Sequence, residues 1–461
     1  MAKKRRSVLR LEAPFSSDPP RLTSEAVGMP RILRRPAASY TMDVTILDVD
    51  DARLLRAGVI VAHRVIEGTG EWYLAAQGWA PHLPAEQVEP LGASGDLPEH
   101  YARLIRPLTR RGVLGPLAAL HCERDEWALR TSEGQVAAVV RDERVRIRRS
   151  GITTARYREI TITPTEHLTG QQREFLVSAA MAVNATVVDQ YPTVAQRLGA
   201  PATGLTSFPR PRETRPDPSL EEYVSSLFAE HLQGIVRADL ARRATSLEDL
   251  GDVNARLWAF GRDLRGLAPV LEPSWREATE RSLAGLPYSS PAEAESPLLD
   301  VIDALVGAAR APRLGDLAHK QAGEQLYHRA EQATLILADR CRSLTADSPD
   351  DQWQGALRAA EQLEVVVGVA APLFPKVVTR ILRRLADVTQ ELRGCALGTF
   401  AGDPALDGLS AAQAFALGRD AERKRALVKA RREAFIERWP ARVLEARKLM
   451  LRAKKKQAKK R

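Results

Sequence analysis

The chain has 461 residues, of which 68 are Lys or Arg and 58 are Asp or Glu, and its formal net charge is +10 at pH 7. This length allows two or three domains with separate cores, and we expect two. No run of about 18 apolar residues occurs, and the basic N-terminus lacks an apolar signal core. The composition therefore argues against a membrane span and a secretory route, and predicts a cytoplasmic protein.

The cysteines are solitary in the sequence and odd in number. They are Cys122, Cys341 and Cys395. This pattern argues against a disulfide framework or a zinc knuckle. We therefore expect buried thiols without a chemical role.

Most of the positive charge lies at the two ends of the chain. Four basic residues fall within 1–6 and nine within 446–461, so removing these 13 charges from +10 leaves −3 for the body. Basic segments attract polyanions without sequence selectivity. The candidate contacts are Lys454, Lys455 and Lys456, and the candidate partners are polyphosphate, nucleic acid or an acidic protein. A solvated tail that only aids solubility is the alternative.

The N-terminal part of the chain predicts short strands joined by tight turns. The predicted strands cover 7–15, 42–47, 59–66, 71–76, 126–130, 135–140, 143–148 and 156–162. The turn at 67–70 makes a hairpin whose inner face should carry charge, and 98–120 predicts helix and loop. Such a run, with one helical insertion, is typical of an antiparallel barrel or tunnel.

Helices follow these strands. Thr169 stands three residues before Gln172, a capping box that predicts a helix running to about Asn184. A short helix at 194–198 closes the domain. The next segment, 203–218, contains four prolines and few apolar residues and is predicted to be a linker.

The rest of the chain shows helical periodicity. Ser219 with Glu222, and Ser410 with Gln413, form two further capping boxes. The predicted helices cover 220–243, 250–271, 273–285, 297–309, 314–345, 350–371, 375–396 and 410–450. This pattern predicts an all-α helical bundle, so the fold class is α+β, with an N-terminal antiparallel β tunnel or barrel and a C-terminal bundle.

The segment 48–81 resembles the start of a CYTH domain, the family of triphosphate tunnels. It has the order of an Asp motif, a Leu-x-x-x-Gly step, an Arg-x-Arg strand and a Trp-x-Leu-Lys strand. Arg64, Trp72 and Leu74 match this order, whereas Ala62 and Ala75 stand where the family has Arg and Lys. The frame of the family is present and part of its charge is missing.

Three helical segments resemble a CHAD domain, a module often fused behind CYTH. They are 251–271, 353–372 and the helix that begins at Ser410. On the matching positions of the second segment only Arg358 keeps a positive charge, and acidic or neutral residues replace the family's other basic residues. The two resemblances predict a basic tail at 1–6, a CYTH-like domain at 7–202, a linker at 203–218, a CHAD-like domain at 219–445 and a basic tail at 446–461.

The CYTH resemblance implies a tunnel in which carboxylates hold a divalent metal and basic residues neutralise phosphates. The metal candidates on the matching positions are Glu12, Glu159 and Asp142, which would hold Mg²⁺ or Mn²⁺ if the tunnel is active. The phosphate-binding candidates are Arg64 and Arg124 in the tunnel and Arg358 in the CHAD-like segment, besides the three lysines of the C-terminal tail. For Glu12, Arg64 and Glu159 the alternative is an internal cluster of ion pairs that fills the barrel.

Three functions remain open at this point. The first, which we favour, is a non-catalytic CYTH–CHAD protein that binds phosphate polymers or acts as a scaffold, in association with polyphosphate granules. The second is a metal-dependent triphosphatase with a remodelled tunnel, acting on inorganic triphosphate or a nucleoside triphosphate. The third is a nucleic-acid accessory protein, which rests on the charge of the tail alone.

Overall fold

The computed structural model describes residues 8–92, 95–165, 167–213, 215, 217–245, 250–286, 290–396 and 410–458, with side chains described as far as 445. The chain divides into two compact units. The first comprises Met1–Pro209 and Val236–Asp249, and the second comprises Arg210–Ile235 and Leu250–Arg461. Strands lie in the first unit and helices dominate the second, which confirms the predicted α+β class.

The first unit contains a sheet of ten strands in the described part of the chain. The strands are β1 (Leu9–Ala13), β2 (Arg31–Arg34), β3 (Tyr40–Asp48), β4 (Ile60–Ile66), β5 (Thr69–Ala75), β6 (Glu86–Pro90), β7 (Gly115–Arg130), β8 (Val136–Arg149), β9 (Ile152–Pro164) and β10 (Thr186–Val188). Their order is β10-β1-β9-β8-β7-β3-β4-β5-β6, and β2 pairs with the far end of β7. Each described pair of strands is antiparallel, as predicted.

The predicted hairpin is confirmed as β4 and β5. Its loop is shorter than predicted, because Glu67 and Gly68 alone make the turn, with φ values of +47° and +84°. Positive φ at both central residues matches the twist of the two strands, and glycine adopts this conformation without a steric cost. Arg64 lies directly opposite Glu71 in the hairpin, so one face carries charge as expected.

Two predictions about the long strands were wrong. The helix and loop expected to reach Leu120 end earlier, because β7 already begins at Gly115. Pro116 near its start lies beside an irregularity in the pairing with β3, where a residue without an N–H is tolerated. The segments 135–140 and 143–148 form one continuous strand, β8, because Arg141 and Asp142 also pair with β7 and β9.

Each face of the sheet carries an apolar cluster. One cluster contains Leu9, Leu11, Ile160 and Ile162 and packs against Leu176. The other lies on the opposite face and contains the buried residues Ile46, Ala52, Leu55, Ala118, Leu120, Cys122, Val145, Ile147, Leu198 and Ala202. Because successive side chains of a strand point to opposite faces, this second cluster shares its face with Glu12, Glu143 and Glu159. We call that face the site face.

The helices extend from the first unit through the second. They are α1 (Arg53–Arg56), α2 (Glu99–Thr109), α3 (Gly170–Met181), α4 (Val194–Leu198), α5 (Leu220–Thr245), α6 (Gly251–Leu267), α7 (Pro273–Ala284), α8 (Pro291–Arg310), α9 (Ala322–Arg342), α10 (Asp350–Val369), α11 (Pro375–Ala396) and α12 (Ala411–Ala458). None of the helices in the described part combines the length and the apolar composition that crossing a bilayer requires.

Local capping signals located several helix starts correctly. The hydroxyl of Thr169 accepts a hydrogen bond from the backbone N–H of Gln172, and the Gln172 side chain accepts one from the backbone N–H of Thr169. The boxes that begin at Ser219 and Ser410 form in the same way. The predicted start of α8 was wrong, since Ser290 caps a helix that begins at Pro291 rather than at 297.

The core of the second unit is centred on Trp353 of α10, which is fully buried. Phe435 of α12 meets it edge-on, with 5.7 Å between the ring centroids.

Cys341 and Cys395 lie in the cluster around Trp353. Burial raises the pKa of the Cys122 thiol to about 12 and that of Cys395 to about 11, so these thiols stay protonated at neutral pH. The prediction that the three cysteines are buried is confirmed.

Candidate functional site

Three carboxylates lie side by side on the site face. Glu12 of β1 lies directly opposite Glu159 of β9, and Glu159 lies directly opposite Glu143 of β8. The row continues with Arg124 of β7 and Tyr40 of β3. Directly opposed residues of antiparallel strands project on the same face, with Cβ atoms about 5 Å apart. We call these five residues the cross-strand row.

Arg197 of α4 lies between the first two carboxylates of the row. Its Nη2 donates to Oε1 of Glu159 at 2.9 Å and also to Oε1 of Glu12. The guanidinium stacks on the ring of Tyr157 at 4.2 Å. The side chain of Arg197 is 17% exposed and that of Glu159 is 15% exposed. One internal cation is therefore shared by two neighbouring acids.

The short helix α4 positions Arg197. Thr193 and Gln196 form a capping box that defines the first turn of the helix. Leu198 is buried in the apolar cluster of the site face. The neighbouring side chain, Arg197, is thereby held at the charged row. The capping box and the buried leucine hold the backbone of α4, from which Arg197 reaches the row.

Arg124 is neutralised within the same row. Its Nε and Nη2 both donate to Oε1 of Glu143, at 2.9 and 2.7 Å. Its guanidinium lies over the ring of Tyr40 at 4.8 Å. The side chains of Arg124 and Glu143 are 22% and 18% exposed. The third acid of the row is therefore also paired.

Arg64 repeats this arrangement on the neighbouring hairpin. Its Nε donates to Oε1 of Glu71 at 2.8 Å, and its Nη2 lies 2.5 Å from the same oxygen. The guanidinium stacks on Tyr73 at 4.0 Å. Ala62, on the same strand and the same face, supplies no charge. Glu12, Arg64 and Glu159 are thus all in ion pairs, as in the alternative that the sequence left open.

Arg64, Arg124 and Arg197, all at the site face, share one pattern. Each is bonded to at least one glutamate and stacked on a tyrosine. A guanidinium bound in this way has donated hydrogen bonds that a phosphate would otherwise accept. Binding a phosphate here would also bring its charge close to the carboxylates. The site face is therefore organised around pairing its own charges.

The pKa of Glu159 depends on burial and on the charged neighbours of its carboxyl group. Burial raises this pKa, the hydrogen bond from Arg197 lowers it, and repulsion from Glu143 and Glu12 also raises it. The net shift is upward. The ionised form of Glu159 therefore depends on Arg197.

Asp142 does not join the other two metal candidates. It lies opposite Ile160, one residue out of step with Glu143, and so projects on the opposite face of the sheet. There it forms a buried pair with Arg158, whose Nε and Nη2 donate to its two carboxylate oxygens at 2.8 and 2.5 Å. Arg158 also donates to the carbonyl of Ser17, so the pair anchors the loop after β1. The structure therefore does not bring Glu12, Glu159 and Asp142 together at one metal site.

Mg²⁺ and Mn²⁺ prefer several oxygen ligands in near-octahedral geometry. Among the residues that the structure describes, no group of three or more His, Cys, Asp or Glu side chains is arranged to hold a metal ion. Glu12 and Glu159 instead converge on Arg197. The described residues therefore do not fit the implied metal.

The helical candidates belong to the second unit. Arg358 of α10 is exposed and lines a groove of about 540 Å³ together with Arg340 of α9. Gly355, Ala359 and the acidic residue Asp351 also line the groove. Lys454, Lys455 and Lys456 lie in α12, where the structure describes their backbone but not their side chains.

The sequence did not identify Glu143 and Arg197 as site residues. Glu143 begins the predicted strand 143–148, and only the continuous strand β8 aligns it with Glu159 and Arg124. Arg197 falls on the correctly predicted helix at 194–198, but 185 residues separate it from Glu12. Alternation along β8 and β9 carried a signal for Glu143, whereas no local pattern points from Arg197 to its partners.

The site and the fold define an α+β protein whose antiparallel sheet has a charge-paired face and whose second unit is helical. No family model matches the chain, and no curated protein matches it either. Two solved structures are similar to part of the chain. One is a proposed adenylate cyclase from Bacillus halodurans, with 14% identity over 35% of this chain and 83% of that chain, and a TM-score of 0.22. The other is HpAC1 from Hippeastrum, a proposed adenylyl cyclase described as having a dominant triphosphatase activity, with 12% identity over 41% of this chain and 91% of that chain, and a TM-score of 0.22.

Proposed function

We propose that this protein is a non-catalytic binding protein for phosphate polymers, built from a CYTH-like unit and a CHAD-like unit. The observation that carries the proposal is the charge of α12. The segment 411–458 contains fifteen Lys and Arg and five Asp and Glu, a net charge of +10 that equals the net charge of the whole chain. At 1.5 Å per residue this helix is about 70 Å long. A long basic helix is suited to a linear polyanion.

The first part of α12 is open to solvent. Residues 411–427 are exposed or half-buried, and Phe415 is 72% exposed. Later residues, such as Phe435, pack into the core of the second unit. Among the basic residues of the exposed part, Lys424 pairs with Asp420 and Arg425 with Glu422, so part of the charge is balanced locally. The segment 446–458 contains no acid at all.

The site face supports the non-catalytic part of the proposal. Turnover of a triphosphate requires basic groups that neutralise its oxygens and a means of stabilising the transferred phosphoryl group. Arg64, Arg124 and Arg197 are each engaged by a glutamate at 2.5 to 2.9 Å. Freeing one of them would leave a half-buried carboxylate unpaired, which costs free energy. The pairing with glutamates therefore opposes the binding of an anion at this face.

The binding role can be tested with long-chain inorganic polyphosphate. Deleting Ala446 to Arg461 removes nine positive charges and should strongly weaken binding at physiological salt, since affinity for polyanions depends on released counterions. In the full chain, replacing Lys454, Lys455 and Lys456 by Gln should lower the slope of log affinity against log salt by about three. The measurement is fluorescence anisotropy with labelled polyphosphate.

The matched control replaces the same three lysines by Arg, which keeps the charge, and it should bind like the parent. Binding that survives the deletion unchanged would contradict the proposed role of the C-terminal helix. A loss in the Arg variant as large as in the Gln variant would show that lysine identity, and not charge, determines binding.

A metal-dependent triphosphatase is the second candidate, and the alignment of Glu12, Glu159 and Glu143 in one row is the observation in its favour. It predicts phosphate release from inorganic triphosphate or ATP with Mg²⁺ or Mn²⁺, and loss of that release in Glu159→Ala and Arg64→Ala. We expect no release above background from the parent. Release that both variants lose, and that an Arg34→Ala variant keeps, would favour the enzyme over our proposal.

A further inference from the structure

Arginines also accumulate on the face of the sheet opposite the site face. Arg144, Arg146 and Arg148 occupy alternate positions of β8, and Arg156 lies on β9. Arg146 is directly opposite Arg156, and Arg144 is directly opposite Arg158. We call Arg144, Arg146, Arg148 and Arg156 the outer arginine face. None of its residues belongs to the site face or to α12.

This arrangement breaks a rule of sheet stability. Like charges directly opposite each other on antiparallel strands are destabilising. Arg158 is compensated by Asp142, and Arg146 donates to Oε1 of Glu123 at 2.7 Å. Within the described part of the chain, Arg148 and Arg156 are exposed and form no ion pair. Positions where a sequence violates a local rule without internal compensation are often functional.

The geometry of the face suits a chain of phosphates. Alternate residues on one strand are about 6.8 Å apart, and neighbouring strands are about 4.8 Å apart, so the guanidinium groups form a closely spaced array. A guanidinium presents a planar fork of donors that matches phosphate oxygens. Several phosphates in series could therefore be contacted at once.

The aromatic ring at this face is already covered. Phe15 lies under the guanidinium of Arg146 at 5.2 Å and near that of Arg156 at 6.0 Å. Binding of single-stranded nucleic acid relies on free aromatic rings on which bases stack. Glu123 and Asp43, which pair with His121 at the edge of the array, would repel a wide duplex that extended over them. These features favour a narrow phosphate chain without bases.

We propose that the outer arginine face binds linear inorganic polyphosphate and is a second polyanion-binding surface, independent of the C-terminal helix. The double variant Arg148→Gln/Arg156→Gln removes the two unpaired charges. In the full-length protein it should bind long-chain polyphosphate about tenfold more weakly, since two exposed charge contacts contribute somewhat under 1 kcal/mol each. The slope of log affinity against log salt should fall by about two.

The matched control is Arg380→Gln/Arg383→Gln, which removes two exposed charges from α11 and should change neither quantity. The melting temperature of the Arg148→Gln/Arg156→Gln variant should equal or exceed that of the parent, because the change relieves the repulsion between Arg146 and Arg156. This measurement separates lost binding from lost folding.

Equal weakening by the two double variants would overturn the proposal, since net charge alone would then explain the effect. A loss of affinity for duplex DNA with unchanged affinity for polyphosphate would also overturn it, by assigning the face to nucleic acid. Deletion of Ala446 to Arg461 tests the C-terminal helix separately. If that deletion does not weaken polyphosphate binding, the result expected for the Arg148→Gln/Arg156→Gln variant stays the same.

Discussion

Replacing Arg197 by alanine is expected to lower the free energy of unfolding by about 2 kcal/mol at neutral pH and by much less near pH 4. Arg197 is the cation shared by Glu12 and Glu159. Removing one partner of a buried ion pair costs about 3 to 5 kcal/mol. The expected loss is smaller here because Glu12 is 35% exposed and water can solvate it.

The pH dependence of this loss follows from the pKa of Glu159. Burial raises this pKa, and the hydrogen bond from Arg197 opposes the rise. Without Arg197 the pKa of Glu159 should rise further above its value in the unfolded chain. A carboxyl with a raised pKa stabilises the fold at pH below its unfolded pKa, and that contribution is lost as the pH rises through its folded pKa. The deficit of the variant should therefore grow from acid to neutral pH.

Urea denaturation of parent and variant at several pH values measures this effect. The control is Arg34→Ala, which breaks a pair with Asp125 whose side chains are 60% and 33% exposed, and it should cost under about 1 kcal/mol. A deficit for Arg197→Ala that is no larger than for Arg34→Ala, or that does not vary with pH, would contradict the central role assigned to Arg197.

Replacing Arg432 by alanine is expected to have the largest effect in the helical unit, a loss of about 3 to 5 kcal/mol. Arg432 is 8% exposed and holds α12 against the start of α10. It pairs with Asp350 and donates to the carbonyl oxygens of Ser348 and Cys395, each at 3.2 Å. Its guanidinium also lies 5.2 Å from the ring centre of Trp353. Its removal would take one hydrogen-bond donor from Asp350 and from each of these carbonyl oxygens.

Thermal unfolding followed by circular dichroism measures this loss. Lys429→Ala is the matched control on the same helix, since its pair with Asp347 is exposed and should contribute little to stability. Arg432→Lys should recover only part of the stability, because an ammonium lacks the planar fork that reaches several acceptors. Equal melting temperatures for the Arg432→Ala and Lys429→Ala variants would show that Arg432 does not anchor α12.

Short-range signals in the sequence were sufficient for much of the fold. Thr169 with Gln172 and Ser410 with Gln413 fixed helix starts, because a cap involves residues three positions apart. Gly68 marked the tight turn of the first hairpin for the same local reason. The helix at 194–198 was also located within its residues.

Register was harder to derive from the sequence. Asp142 and Glu143 are neighbours, and a shift of one residue moves a side chain to the other face of a sheet. The break expected between 140 and 143 hid which of the two acids would meet Glu159. The structure places Glu143 opposite Glu159 and pairs Asp142 with Arg158 on the other face.

The sequence by itself determined the α+β class, the alternation that gives each strand two different faces, and the concentration of positive charge in the last helix. Only the tertiary structure decided that Arg197, Arg124 and Arg64 would each be bound by a glutamate rather than left open to an anion. The physical reason is that the secondary structure of a segment depends mainly on residues that are close together along the chain. The partner of a charge, in contrast, is set by pairing register and by the packing of a helix that is 185 residues away from Glu12 in the sequence.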